Sequence, residues 1–404
     1  MHHQLILRNA TLQDGSTADV HIDGAVITRV GSPIPESTAD EELDLSGHIL
    51  TPALVEPHAH LDKAFLADRV ENSSGDLMGA IIGLQNIRQT VTHADIVNRA
   101  TRAAVLLSQN GVTRVRTHVD ITLEGGLTPL RALLETKALC SRFIDIQVAA
   151  LIEWPITGSM GANHRALARD AISEGVDVIG GCPHLDTNPT EAVAILLQLA
   201  VDNNLPLDLH ADENVRPESN DLETLSNLML RDNITLLANA SHCVSLAAHT
   251  SDKAQRIAHK VAAASISVTA LPQTNLFLQE RGVNTQASRA IAPLHLLQKE
   301  GVLVALGADN LQDPFNLMGR GDPLEIASLG VLASHLTPSN AYDMVSLNSH
   351  RVVTGQPIAL SEGQLADLVA IPATNVREAI AMGPPDRHVV YGGVVITNQK
   401  RNIK

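Results

Sequence analysis

Apolar runs rich in β-branched residues recur along the middle of the chain, each followed by a longer stretch of helical periodicity. The strand candidates are ILTPALVEPHAH (49–60), TRVRTHVD (113–120), FIDIQVAALIEW (143–154) and VDVIGGCPHLD (176–186). They continue with LPLDLHADE (205–213), ITLLANASH (234–242), SISVTALPQTN (265–275) and VLVALGADN (302–310). Continuous apolar runs suit strands covered on both faces, as in a parallel sheet. Between them, Ala254, Ile257, Ala258, Val261 and Ala262 fall at i, i+3, i+4, i+7 and i+8, one face of a helix. Ala192 to Ala200 is apolar nearly all round, which predicts a helix packed on two sides. Eight strands alternating with helices over about 260 residues predict a (β/α)8 TIM barrel. An open, doubly wound sheet shares that alternation and stands as the alternative.

The two ends are patterned differently. Residues 3–50 hold short alternating strands with turns, LILRNATL and ADVHIDGAVITRVG. Residues 365–397 repeat the style in LADLVAIPA and HVVYGGVVIT. Neither piece has enough apolar surface for its own core, so the two are expected to form one small β-sandwich domain. The expected organisation is 1–50 as its first part, 51–350 as the barrel, and 351–404 as its second part after a terminal helical stretch. There is no internal repeat, low-complexity tract or Pro-rich linker. The polar stretches ENSSGDLMG (71–79) and QERGVNTQASRA (279–290) are those expected to move over a site.

Composition narrows the function classes. Of 404 residues, 44% are hydrophobic and 18% charged, enough apolar surface for a large core. A net charge of −15 gives no general attraction to nucleic acid or to an anionic membrane. Aromatics at 2% argue against base-stacking platforms. No window of eighteen residues is purely apolar, so no membrane span is expected. The start MHHQLILRNA lacks a basic region followed by an apolar run, so no signal peptide is expected. Cys140, Cys182 and Cys243 are unclustered, which suits reduced, buried thiols and a cytoplasmic location.

The candidate chemistry lies at the strand ends, which a barrel gathers on one face. His58 and His60 are two apart, so on a strand both imidazoles point the same way. With 18 histidines in the chain, roughly one such pair is expected by chance. The recurrence of His210, His242 and Asp309 at later strand ends strengthens it. Three neutral imidazoles and a carboxylate suit a divalent ion, with Zn, Fe(II), Mn and Co all compatible. Such an ion lowers the pKa of bound water towards about 7. Glu213, three residues beyond His210, is placed to shuttle a proton. His118, Asp120, His184 and Asp186 also fall at strand ends. His118 and His184 are expected to hold loops or ligands rather than bind the ion.

In this order, the pieces VEPHAHLDK (55–63), TRVRTHVD (113–120), HADE (210–213), ASH (240–242), PQTNLFLQ (272–279), GADN (307–310) and DPFN (313–316) resemble the amidohydrolase superfamily, specifically its cytosine deaminase branch. N-isopropylammelide amidohydrolases are similar too. The resemblance implies one divalent metal ion per subunit, Zn or Fe(II) before Mn, on His58, His60, His210 and Asp309. It implies that His242 polarises the metal-bound water, that Asp309 accepts its proton, and that Glu213 protonates the ring nitrogen. Binuclear branches use a carbamylated Lys at the end of strand four, and VDVIGGCPHLD has none. Lys63 is read as structural or pocket-lining.

Two departures bear on substrate. Cytosine deaminases carry a Gln where this chain has Glu153, and an ionised Glu only accepts hydrogen bonds. Glu153 therefore favours a ring edge with donors, such as an amino-imino or protonated face. Asn310 stands for a usual second Asp, and Phe315 for a Trp. Leu77 aligns with a residue that caps the ring, and Trp154 either stacks on a heterocycle or packs in the core. The expected activity is metal-dependent hydrolytic deamination of a small, cytosine-like amino-heterocycle or cyclic amidine. The alternative is removal of an alkylamine from an aminotriazine such as N-isopropylammelide. A non-catalytic scaffold would have lost ligands, and a nucleic-acid deaminase would show His-x-Glu with Pro-Cys-x-x-Cys. The family's habit implies a homo-oligomer.

Overall fold

The computed structural model describes residues 3–31 and 39–396. Residues 1–2, 32–38 and 397–404, which include parts of both expected sandwich segments, lie outside the described residues. The barrel strands are β1 (Leu54–Ala59), β2 (Val112–Ile121), β3 (Asp145–Ile152), β4 (Val178–Gly181), β5 (Leu207–Ala211), β6 (Ala238–His242), β7 (Ser267–Ala270) and β8 (Val304–Leu306). They form one eight-stranded sheet in sequential order, every described pairing parallel. A parallel bridge between Ala59 and Asp309 closes it, with Asp309 N–H donating to the His58 carbonyl at 3.0 Å. The sheet is therefore a barrel rather than an open doubly wound sheet.

Helices follow the strands, and the apolar faces read from the sequence are the buried ones. In Ser251–Ala263 these are Ala254, Ile257, Ala258 and Val261. In Pro189–Asn203 they are Ala192, Val193, Leu196, Leu197 and Ala200, with Ile195 and Leu199 packed at the margin of the core. The helix Leu77–Ile87 differs. It docks through a separate apolar cluster of Leu66, Val70, Ala80, Leu84, Leu278 and Phe315. Asp76 caps it by accepting from Gly79 N–H.

The small domain is an eight-stranded sheet built from both chain ends. Ile49–Pro52 pairs antiparallel with Leu368–Ile371, and this pairing joins the two ends. Leu5, Leu7, Val20, Ile22, Leu50, Leu368 and Val390 are among its core residues. The single strand expected over 49–60 is therefore two. Ile49–Pro52 belongs to the small sheet and Leu54–Ala59 to the barrel, with Ala53 between them. An unbroken apolar run hides that junction, because both halves are buried. The run 265–275 also divides. Its end forms the helix Pro272–Leu278, started by Pro272 at the first turn, so Asn275 is helical. Among the described residues, no helix is long and apolar enough to cross a membrane.

Candidate active site

Side chains converge at the C-terminal mouth of the barrel. His58 Nε2 lies 3.1 Å from His210 Nε2, which lies 3.2 Å from His60 Nε2. Asp309 Oδ1 is 3.2 Å from His60 Nε2 and 3.6 Å from His58 Nε2. All four residues are buried. Asp309 reaches this place because the chain turns sharply there, with φ of 65°.

The outer nitrogens of His58 and His60 fix which of their atoms face inward, while His210 Nδ1 is buried without a partner among the described residues. His60 Nδ1 lies 3.0 Å from the His118 carbonyl, so it carries the proton and Nε2 offers a lone pair. His58 Nδ1 lies 2.8 Å from Ser241 Oγ. That hydroxyl donates to Asp208 Oδ1 at 2.8 Å, so it accepts from His58. Burial, then neighbouring histidines, hold His58 and His210 well below the ordinary imidazole range, in the neutral form a ligand needs. Both Asp309 oxygens are buried without a hydrogen-bond partner among the described residues. Lone pairs packed this closely repel unless a cation lies among them. Zn–N bonds of about 2.0–2.1 Å give a tetrahedral edge of about 3.3 Å, which matches the donor spacing. The donor set fits one divalent ion.

A polar layer supports the cluster from below. Arg116, fully buried, donates to Gln147 Oε1 (2.7 Å), Asp208 Oδ2 (2.8 Å) and the Val353 carbonyl (3.1 Å). Asn239 Nδ2 donates to Asp208 Oδ1 at 2.9 Å. Asp208 is thus committed, which leaves its grouping with His58 and His118 no capacity for an ion. His118 stacks on His58 at 4.0 Å between ring centroids. Glu56 accepts from His58 N–H and Ala308 N–H, and burial pushes it up to about 8. Gly307 makes room for it: a Cβ there would lie 2.9 Å from Glu56 Oε1. His184 Nδ1 donates to the His210 carbonyl at 3.0 Å, so His184 braces the strand that carries His210.

Glu213 and His242 stand beside the donors. Glu213 Oε1 is 3.6 Å from His242 Nδ1. Burial and the charge of Asp309 raise Glu213 well above the usual carboxyl range, so it keeps its proton. Asn275 Nδ2 lies 2.9 Å from His242 Nδ1 and donates to it, which puts the ring proton on Nε2. Burial takes His242 down to about 3, so it is a neutral donor. His242 has φ of 69°, a second left-handed turn at a strand end.

One cavity joins these groups. His60, His210, Glu213, His242 and Asp309 line it, together with Glu153, Trp154, Leu77, Asn310, Phe315, Lys63, Arg88 and Asp120. Its volume is about 80 Å³. One water takes about 10–15 Å³ on that measure, so a six-membered ring with two small substituents matches its size. Asn310 is locked by donating to Asp313 (2.8 Å) and accepting from Thr274 (3.3 Å). Lys63 donates to Asp120 at 2.6 Å; burial opposes its charge, but Asp120 and Asp62 outweigh that and keep it protonated. The segments 71–79 and 279–290 meet above, where a Cβ on Gly75 would lie 3.1 Å from Arg281 Cδ. Cys243 packs behind His242 against the Ala240 carbonyl.

Arg88, His164, Asp208, Arg116 and Ser241 went unread as site residues in the sequence. For Asp208 and Arg116 the signal was there, a charge two positions before His210 or His118 inside an apolar run. Arg88 carries no local signal, because only the docking of its helix brings it to the pocket.

Comparison with known proteins identifies the family. Residues 75–397 match the Amidohydrolase family. A pterin deaminase of Rhizobium rhizogenes is 29% identical over 387 residues, covering 94% of this chain and 87% of that protein. The N-isopropylammelide isopropyl amidohydrolase of a Pseudomonas species is 28% identical over 220 residues, 51% of this chain and 52% of the other. The crystal structure of 5-methylcytosine deaminase from Klebsiella pneumoniae with 5-fluorocytosine superposes with a TM-score of 0.89, at 27% identity and 99% coverage of both chains.

Proposed function

Because the chain belongs to the amidohydrolase family, we propose that it removes an exocyclic amine, as ammonia, from a small cytosine-like amino-heterocycle or cyclic amidine by hydrolysis. The observation that carries this reading is the placement of Glu213, whose side chain is only 9% exposed and lies 3.6 Å from His242, in the cavity that His60, His210 and Asp309 of the donor set also line. A divalent ion held by His58, His60, His210 and Asp309, Zn or Fe(II) before Mn, supplies Lewis acidity and an activated water.

The chain's own residues then divide the proton traffic. The Asp309 carboxylate accepts a proton from the attacking water. The His242 Nε2–H stabilises the negative charge growing on the water oxygen. Glu213 donates to the ring nitrogen beside the carbon under attack. As a carboxylate, it then takes the proton of the new hydroxyl and passes it to the amine, which leaves as ammonia. The proton on Asp309 returns to Glu213 and closes the cycle. Leu77 and Phe315 flank the ring, and Asn310 adds a fixed amide.

The test is ammonia release by Zn-, Fe(II)- and Mn-loaded protein. The panel is cytosine, isocytosine, 5-methylcytosine, creatinine, isoguanine, pterin, ammeline and N-alkyl ammelides. Glu213→Gln should keep its metal and lose at least about a hundredfold in kcat. Full activity in that variant rejects the role. Amine release from an N-alkyl ammelide without ammonia from any ring would favour the alkylamine reading, which the Pseudomonas relative supports.

A further inference from the structure

We infer that Glu153 and Arg88 together read one edge of the substrate, and that this edge is a lactam, an N–H beside a C=O. The inference deepens the deaminase reading and rests on it for the rest of the ring. Glu153 lies just past β3 and Arg88 just past helix Leu77–Ile87, and both line the cavity. Arg88 Nη1 and Glu153 Oε1 are 3.6 Å apart, too far for a hydrogen bond, with side chains only 15% and 18% exposed.

Each group is anchored from behind. Glu153 Oε2 accepts from Leu123 N–H at 3.1 Å and lies 3.3 Å from His164 Nε2. Arg88 Nη2 is held by Asp120 Oδ2 at 3.5 Å, while Lys63 takes the other Asp120 oxygen at 2.6 Å. The other oxygen, Glu153 Oε1, and the other terminal nitrogen, Arg88 Nη1, stand side by side as a loose ion pair on the cavity wall. A carboxylate only accepts and a guanidinium only donates. An edge of two acceptors sets a lone pair against Glu153, and an edge of two donors sets an N–H against Arg88. A ring N–H next to a carbonyl satisfies both. Asp120 on one side and Glu153 on the other orient the guanidinium by charge. Glu153 alone favoured an edge of donors; Arg88 beside it changes that to one donor and one acceptor.

The probe pair is 2-pyrimidinone, which has the lactam edge and no amine to lose, and pyrimidine, which lacks the edge. Titration calorimetry on zinc-loaded protein should show pyrimidinone bound at least tenfold tighter. Arg88→Met should lose at least tenfold for pyrimidinone and less than threefold for pyrimidine. Arg88→Lys, which keeps the charge but not the fork, should fall between. Arg88→Met combined with Glu153→Gln should regain the preference, because one amide both donates and accepts. Equal binding of the two probes by wild type, no binding of pyrimidinone, or parallel loss for both probes in Arg88→Met overturns the inference. The last pattern marks a purely structural Arg88. Ammonia release without a pyrimidinone preference sinks this inference alone; the preference without ammonia from any ring sinks the deaminase reading alone.

Discussion

Ser241→Ala tests whether the layer beneath the donors sets their metal affinity. Ser241 Oγ accepts from His58 Nδ1 (2.8 Å) and Asn239 Nδ2 (3.1 Å) and donates to Asp208 (2.8 Å). Without it, the buried His58 Nδ1–H has no acceptor, at a cost of about 1–3 kcal/mol. The ring avoids that cost by moving its proton to Nε2, where it faces the other donors. The penalty is therefore charged to metal binding, because only the Nδ1–H tautomer presents a lone pair. Losses of this kind run to about 10–100-fold in affinity. Asp208 keeps Arg116 and Asn239, so the fold keeps its main tie across the barrel. Chelator competition with zinc should give a Kd raised about 10–100-fold, with the Tm of the metal-free variant down by only a few degrees. A folded variant whose zinc Kd stays within threefold of wild type refutes the relay.

Two further outcomes are expected. At pH 6.0, two imidazoles of ordinary pKa would be about 75% protonated and would release about 1.5 protons on binding a metal. Burial, then neighbouring histidines, lower His58 and His210, so both stay neutral as pH falls through 6.5. Calorimetry in buffers of different ionisation enthalpy should then find these two releasing almost none, and a release of two protons or more from the site would contradict the burial argument. Asp76→Ala removes the cap from helix Leu77–Ile87 and should cost it about 1 kcal/mol. Backbone amide exchange over 77–87 should speed up with metal affinity unchanged; no change in exchange would show that the apolar docking cluster alone holds the helix.

The barrel was legible because its strands are buried on both faces and its helices on one. The donors were legible because β1 carries them with period two and the other strands end at the same mouth. Other parts were hidden for physical reasons. Ala53 divides one apolar run between two sheets, and hydrophobicity does not distinguish two buried strands from one. Asn275 sits on a helix that starts at Pro272, where the preceding apolar residues suggested a strand. Arg88 and His164 act on the pocket wall through contacts far apart in sequence, 32 residues from Arg88 to Asp120 and 11 from His164 to Glu153. The polar layer was visible only as misplaced charge. Glu56, Arg116 and Asp208 each precede a strand-end histidine by two positions, so the inward face of each strand continues the polar pattern one level down.

That layering links the closing of the barrel to the assembly of the site. β8 is three residues long, and the ladder to β1 rests on the bridge from Ala59 to Asp309. Asp309 supplies both the seam hydrogen bond to His58 and the carboxylate facing His60. Glu56 fastens the same seam through Ala308 N–H. The donors come from β1, β5 and the turn after β8, so a cation among them ties the first strand to the last and both to the middle of the sheet. Any ion that binds the folded barrel and not the open chain stabilises it by RT ln(1 + [L]/Kd). Asp309 thus serves the seam through its backbone N–H and the site through its carboxylate, so a side-chain substitution there removes a donor and leaves the seam hydrogen bond in place.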